Sequence, residues 1–159
     1  MKKDYLQPLI KAFEDNANPE KASQSKKYMK GLFDFYGIPA KEKRGIWNNF
    51  LKEQGMPEYS ELPGLIRELW DMEQRDYQHF GVELLIKYKK QFDEDIIDLL
   101  EFMIVNKSWW DTVDKIAKKL VGNNFFSLRV GEYRIIIDIN NKEITILVIE
   151  IGHRRNIYK

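Results

Sequence analysis

The sequence predicts an α+β fold: an N-terminal α-solenoid of antiparallel helix pairs, about seven helices in all, followed by a three-stranded antiparallel β-meander that caps its end. Three observations predict it. Apolar residues recur with a helical period through residues 1–122. The breaks between those stripes are short and carry cap and stop residues. After Gly122 the texture changes to β-branched and aromatic runs separated by two turn signals.

The first stripe, Tyr5, Leu6, Leu9, Ile10 and Phe13, lies on one helical face. Asn18 and Pro19 open a second helix as cap and first helical residue. It is predicted to run through Tyr28, Met29, Leu32 and Phe33 and to stop near Gly37. A third helix starts at Pro39, carries Ile46, Trp47, Phe50 and Leu51, and ends at Gly55. Further helices are predicted over 60–72, 75–90, 93–106 and 108–121. Trp47 and Trp70 lie on the apolar stripes, which predicts core positions. Strands are then expected around Phe125–Val130, over 133–139 and over 143–151, with turns at Gly131-Glu132 and Asn140-Asn141-Lys142. Ile135-Ile136-Ile137 and Ile144–Ile149 are apolar on both faces and need cover. The domain division expected is 1–122 for the helices and 123–159 for the sheet.

The 159 residues hold 26 Lys plus Arg against 25 Asp plus Glu, two histidines and no cysteine. That composition suits one soluble domain, and 21 aromatic residues argue against disorder. The absence of cysteine excludes disulfides, a thiol nucleophile and Cys-ligated zinc. With His79 and His153 far apart, no metal and no cofactor is expected. No apolar run is long enough to cross a bilayer, and the start lacks a signal-peptide core. A cytoplasmic protein without a membrane partner is expected. The net charge of +1 leaves any nucleic-acid role to local clusters.

The most informative stretch of the helical half is Lys107-Ser108-Trp109-Trp110-Asp111-Thr112-Val113-Asp114. Ser108 followed by Asp111 resembles a capping box. Trp110 and Asp114 are then one helical turn apart on one face, with Trp109, Val113 and Ile116 turned elsewhere. Two readings stand. An exposed indole beside a carboxylate is a receptor for a cation. Alternatively this is an ordinary capped helix, with Asp114 paired to Lys118. Basic residues also cluster at Lys26, Lys27, Lys30, Lys41, Lys43 and Arg44, and at Lys87, Lys89 and Lys90. Several such charges on one face would bind phosphates; scattered, they are solvated surface.

Residues 1–122 resemble the N-terminal half of the AlkD-like DNA alkylation repair family, glycosylases built as HEAT-like α-solenoids. The resemblance rests on Asn18-Pro19-Glu20-Lys21-Ala22, Lys27-Tyr28-Met29-Lys30, Gly37-Ile38-Pro39, Ile66-Arg67-Glu68-Leu69-Trp70-Asp71, Lys87-Tyr88-Lys89-Lys90 and, most specifically, Lys107 to Asp114. It implies a DNA-binding alkylpurine DNA glycosylase that removes cationic N3- or N7-alkylated purines from duplex DNA without a metal. By that similarity Trp110 and Asp114 are the catalytic aromatic and carboxylate. Lys107, Trp109, Lys27, Lys30 and Arg44 are the expected nucleic-acid contacts. The family's further helical repeats are not recognised after this stretch, so weak or lost activity is expected.

From about Lys118 the chain resembles instead the C-terminal half of the RelE/ParE toxin superfamily. The matching residues are Leu128-Arg129-Val130-Gly131-Glu132-Tyr133-Arg134-Ile135-Ile136 and Ile151-Gly152-His153-Arg154-Arg155-Asn156-Ile157-Tyr158. This resemblance implies a ribonuclease remnant in which Arg134, Arg154 and Tyr158 are the functional residues. The whole then reads as a chimera of two partial domains. A third reading is a non-catalytic interaction module that pairs with a protein partner, or with itself, through the sheet edge.

Overall fold

The computed structural model describes residues 4–93 and 95–116, and the backbone alone of 126–130, 133–140 and 143–150. Seven α-helices are described: α1 (Gln7–Asp15), α2 (Pro19–Tyr28), α3 (Ala40–Gln54), α4 (Leu62–Asp71), α5 (Arg75–Lys87), α6 (Ile96–Val105) and α7 (Trp110–Ile116). Two compact units divide the chain between Gly81 and Val82.

In the first unit, α2 begins as the sequence predicts. Pro19 occupies the first turn, and the Asn18 side chain accepts from the Lys21 amide at 3.0 Å. Its end differs from the prediction. The helix stops at Tyr28, and Lys30 and Gly31 follow in left-handed conformations with φ of 56° and 78°. Gly37 is therefore no helix stop. It lies in an extended loop, with φ of 74°, pressed onto the start of α2, where an added Cβ would stand 2.2 Å from the Asn18 carbonyl oxygen. The Asn18 amide donates to the Tyr36 carbonyl at 2.8 Å and fixes the same loop.

Pro39 leads into α3, and Gly55 ends it at a φ of 82°, as expected. The core of this unit is aromatic. Phe50 meets Tyr5 edge-on at 5.0 Å and Phe80 at 5.7 Å, while Phe13 packs against Tyr36 and Tyr77 at 5.6 and 5.4 Å. Trp47 and Trp70 are both buried, as their stripes require. The Gln78 amide nitrogen donates to the carbonyls of Leu69 at 2.6 Å and Met72 at 3.0 Å. It thereby satisfies carbonyl groups that the end of α4 leaves without helical partners. The turn from α4 to α5 is held on its other side by Asp34. The Asp34 carbonyl accepts from the Arg75 amide at 2.8 Å, and Asp34 forms a bridge with Gln74.

In the second unit, α6 buries Ile96, Leu99, Leu100, Met103 and Ile104, and α7 buries Thr112, Val113 and Ile116. The end of α5 contributes Val82, Leu84 and Leu85, all fully buried.

The expected α+β class, with a β-meander capping the helices, is corrected: the fold is helical. Every buried residue among the described side chains lies between Tyr5 and Ile116. Beyond them only backbone is described. Its stretches Phe126–Val130, Tyr133–Asn140 and Glu143–Glu150 pair antiparallel in that order. That pairing does not establish a sheet layer over the helices. The physical reason for the misreading lies in the apolar runs themselves. A run such as Ile135–Ile137 carries a local preference for pairing and does not specify what covers it, whereas the class is set by the core that the helices and their connections build.

Candidate functional site

The corner between α6 and α7 presents the residues that the sequence singles out. Asn106 closes α6, its backbone amide and side-chain nitrogen both donating to the Phe102 carbonyl at 3.0 and 2.9 Å. Lys107 then takes a left-handed conformation, φ 48°, which turns the chain sharply between the helices. The Trp109 carbonyl starts the next helix, accepting from the amides of Thr112 and Val113 at 3.3 and 3.1 Å. The Thr112 hydroxyl also donates to it at 3.2 Å. The helix thus begins at Trp110, two residues later than predicted. The Asp111 carboxylate accepts from the Thr112 amide at 2.9 Å, a role different from the capping box expected with Ser108.

This start sets the faces of α7. Thr112, Val113 and Ile116 turn inward and are buried, while Trp109 is half-buried. Trp110 is 48% exposed, a large indole left open to solvent, and Asp114, one turn further on, is half-buried. Spacing of four residues puts these two on the same side of the helix. Lys115 forms an ion pair with Glu83 of α5 at 2.6 Å, each side chain about one-third exposed. Lys118, the alternative partner weighed for Asp114, lies outside the described residues. An aromatic face and a carboxylate at one helix side suit a positively charged ligand.

Lys107 is half-buried at the α6–α7 corner. Lys27 and Lys30 are both exposed at the end of α2, and Arg44 is exposed on α3 with its Nε donating to the Ala40 carbonyl at 3.5 Å. Two members of the sequence's basic cluster serve other ends. Lys26 pairs with Asp34 at 2.7 Å. Lys43 is buried and ion-paired with Asp76, whose second oxygen accepts from the Tyr36 amide at 2.9 Å. Next to Asp76 in sequence, Arg75 is wholly buried, its guanidinium 3.9 Å above the Phe33 ring. Sequence reasoning missed this buried charge cluster. The one signal was an Arg-Asp pair opening a helix, which reads equally well as surface. Among the described residues no group of three His, Cys, Asp or Glu could hold a metal ion. Among them, too, no helix is long and apolar enough to cross a membrane.

Of the residues assigned through the toxin resemblance, Arg154 and Tyr158 lie outside the described residues. The backbone of Arg134 stands opposite Arg129. The DNA alkylation repair enzyme family matches residues 9–133, so the match runs across the junction near Lys118 where the toxin resemblance begins. The RelE/ParE half, and with it the chimera, is not supported. A predicted DNA alkylation repair enzyme from Enterococcus faecalis has a solved structure that is 31% identical, with a TM-score of 0.59. The similarity covers 65% of this chain and 48% of that one, so the chain spans about half the length of this relative. No curated protein matches. Helices in the expected order, the α7 motif and a match over most of the length lead to one conclusion: the chain belongs to the DNA alkylation repair enzyme family.

Proposed function

We propose that the protein binds duplex DNA and acts as an alkylpurine DNA glycosylase, with Trp110 and Asp114 as its catalytic pair. The observation that carries this reading is the position of the pair on α7, an open indole and a half-buried carboxylate one turn apart. The residue chemistry fits the reaction. A purine alkylated at N3 or N7 is a cation and a good leaving group. Cleavage of its bond to the sugar develops positive charge on the sugar ring. The Asp114 carboxylate opposes that charge and orients the attacking water, and the Trp110 face stabilises the cationic nucleoside. Lys107, Trp109, Lys27, Lys30 and Arg44 would contact the nucleic acid. The helical repeats over 1–122, as a domain distinct from 123–159, form part of the same proposal.

The test is release of 7-methylguanine from methylated duplex DNA. Release above the buffer rate is expected from the parent protein. Asp114→Asn is expected to lower it by about 10²–10³, the usual cost of removing one preorganised electrostatic stabiliser. A parent protein that releases no base refutes the glycosylase reading, and an Asp114→Asn variant of full activity refutes the assignment of the residue.

A further inference from the structure

The α7 helix is held in an unusual way. It is entered through Lys107, a non-glycine residue in a left-handed conformation. Such conformations persist only where the surroundings enforce them. Among the contacts that fix the helix are the buried face of Thr112, Val113 and Ile116, and the 2.6 Å ion pair from Lys115 to Glu83 on α5. An apolar face resists lifting and large rotation of the helix, since either would uncover close-packed side chains, but its dispersion contacts are individually weak and set no precise direction. A charged hydrogen bond at one point of the last turn supplies that direction. Lys115 is also the neighbour of Asp114, and a carboxylate from another helix balances its positive charge.

We propose that Glu83 is a positioning residue for the α7 site: by engaging Lys115 it sets the rotation of the helix that presents Trp110 and Asp114, and it offsets a cation next to Asp114. This inference rests on the glycosylase reading for its catalytic consequence but not for its structural one. With both side chains one-third exposed, the pair adds little stability. Loss of Glu83 is therefore expected to alter the site far more than the fold.

The experiment uses Glu83→Gln and the exchange Glu83→Lys/Lys115→Glu in the full chain. Glu83→Gln is expected to lower single-turnover release of 7-methylguanine about tenfold, because small displacements of reacting groups are costly. Duplex affinity should be unchanged, and the thermal midpoint should stay within about 3 °C of the parent. The exchange is expected to restore the rate. An unchanged rate in Glu83→Gln overturns the proposal, as does a loss that tracks thermal stability or an exchange that restores nothing. A second arm needs no catalysis: the emission of Trp110, taken as the difference from the Trp110→Phe counterpart of each protein. Glu83→Gln should shift its maximum and its quenching by iodide, and the exchange should reverse both. If the parent releases no base, the glycosylase reading fails and this arm alone decides the positioning role. Emission unaltered by Glu83→Gln then refutes it.

Discussion

Replacing Lys43 with methionine would leave the Asp76 carboxylate in the interior without its cation. Asp76 is fully buried, and its described partners are the Lys43 ammonium and the Tyr36 amide. The amide bond would survive the substitution, and the methionine would keep most of the lysine stem volume. What is lost is the compensation for a desolvated charge, and breaking such a pair from one side costs about 3–5 kcal/mol. With a urea dependence of about 2 kcal/mol per molar for a unit of this size, the midpoint should fall by about 2 M. The assay is equilibrium unfolding followed by fluorescence of Trp47 and Trp70, which lie buried in the same unit. The double replacement Lys43→Met/Asp76→Leu should recover part of the loss, since removing both charges leaves only the Tyr36 amide without its acceptor. That residual cost is about 1–3 kcal/mol. A Lys43→Met protein with a midpoint within 0.5 M of the parent (roughly 1 kcal/mol) would refute the reasoning, as would a double variant less stable than either single one.

Gly37→Ala should destabilise by more than about 2 kcal/mol in the same assay, since the new Cβ meets backbone atoms at 2.2 and 2.4 Å and φ is 74°. Gly45→Ala, at an exposed mid-helix site of α3 with no neighbouring atom within 4 Å, should instead stabilise by about 0.5–1 kcal/mol. Burial, followed by the hydrogen bond with Tyr36, pushes the Tyr77 hydroxyl well above its ordinary value of 10.0. The unfolded chain therefore ionises this group first. Its contribution to stability is intact below pH 10 and declines as pH rises beyond it, and Tyr77→Phe should flatten that part of the stability profile. Lys27→Ala/Lys30→Ala should lower duplex affinity for all sequences alike and reduce the salt slope by about one for each phosphate no longer neutralised.

Much of the helical half was legible from local chemistry. Asn18-Pro19 marks a helix start because an amide side chain and a ring with a fixed φ are both suited to it, and Gly55 marks a stop because it turns with positive φ. The α7 pair was legible for the same reason: spacing of four residues dictates a shared face wherever a helix forms. The Lys43–Asp76 pair was not, since the partners lie far apart in sequence and each looks like solvated surface alone. Gly37 misled because its positive φ serves a close approach between backbones, which only the folded chain reveals. The apolar runs beyond Gly122 misled for another reason: β-forming composition describes a local preference, whereas fold class depends on what covers the run.

The turn joining α4 to α5 is gripped from both sides, by the Gln78 amide on the carbonyls before it and by Asp34 on the residues that follow. An added residue there would break one grip or the other. At Gly31 an added side chain would meet nothing within 4 Å, and the backbone already swings outward. Length variation among members of the family should therefore gather at the end of α2 and spare the α4–α5 connection, and engineered insertions should follow the same map.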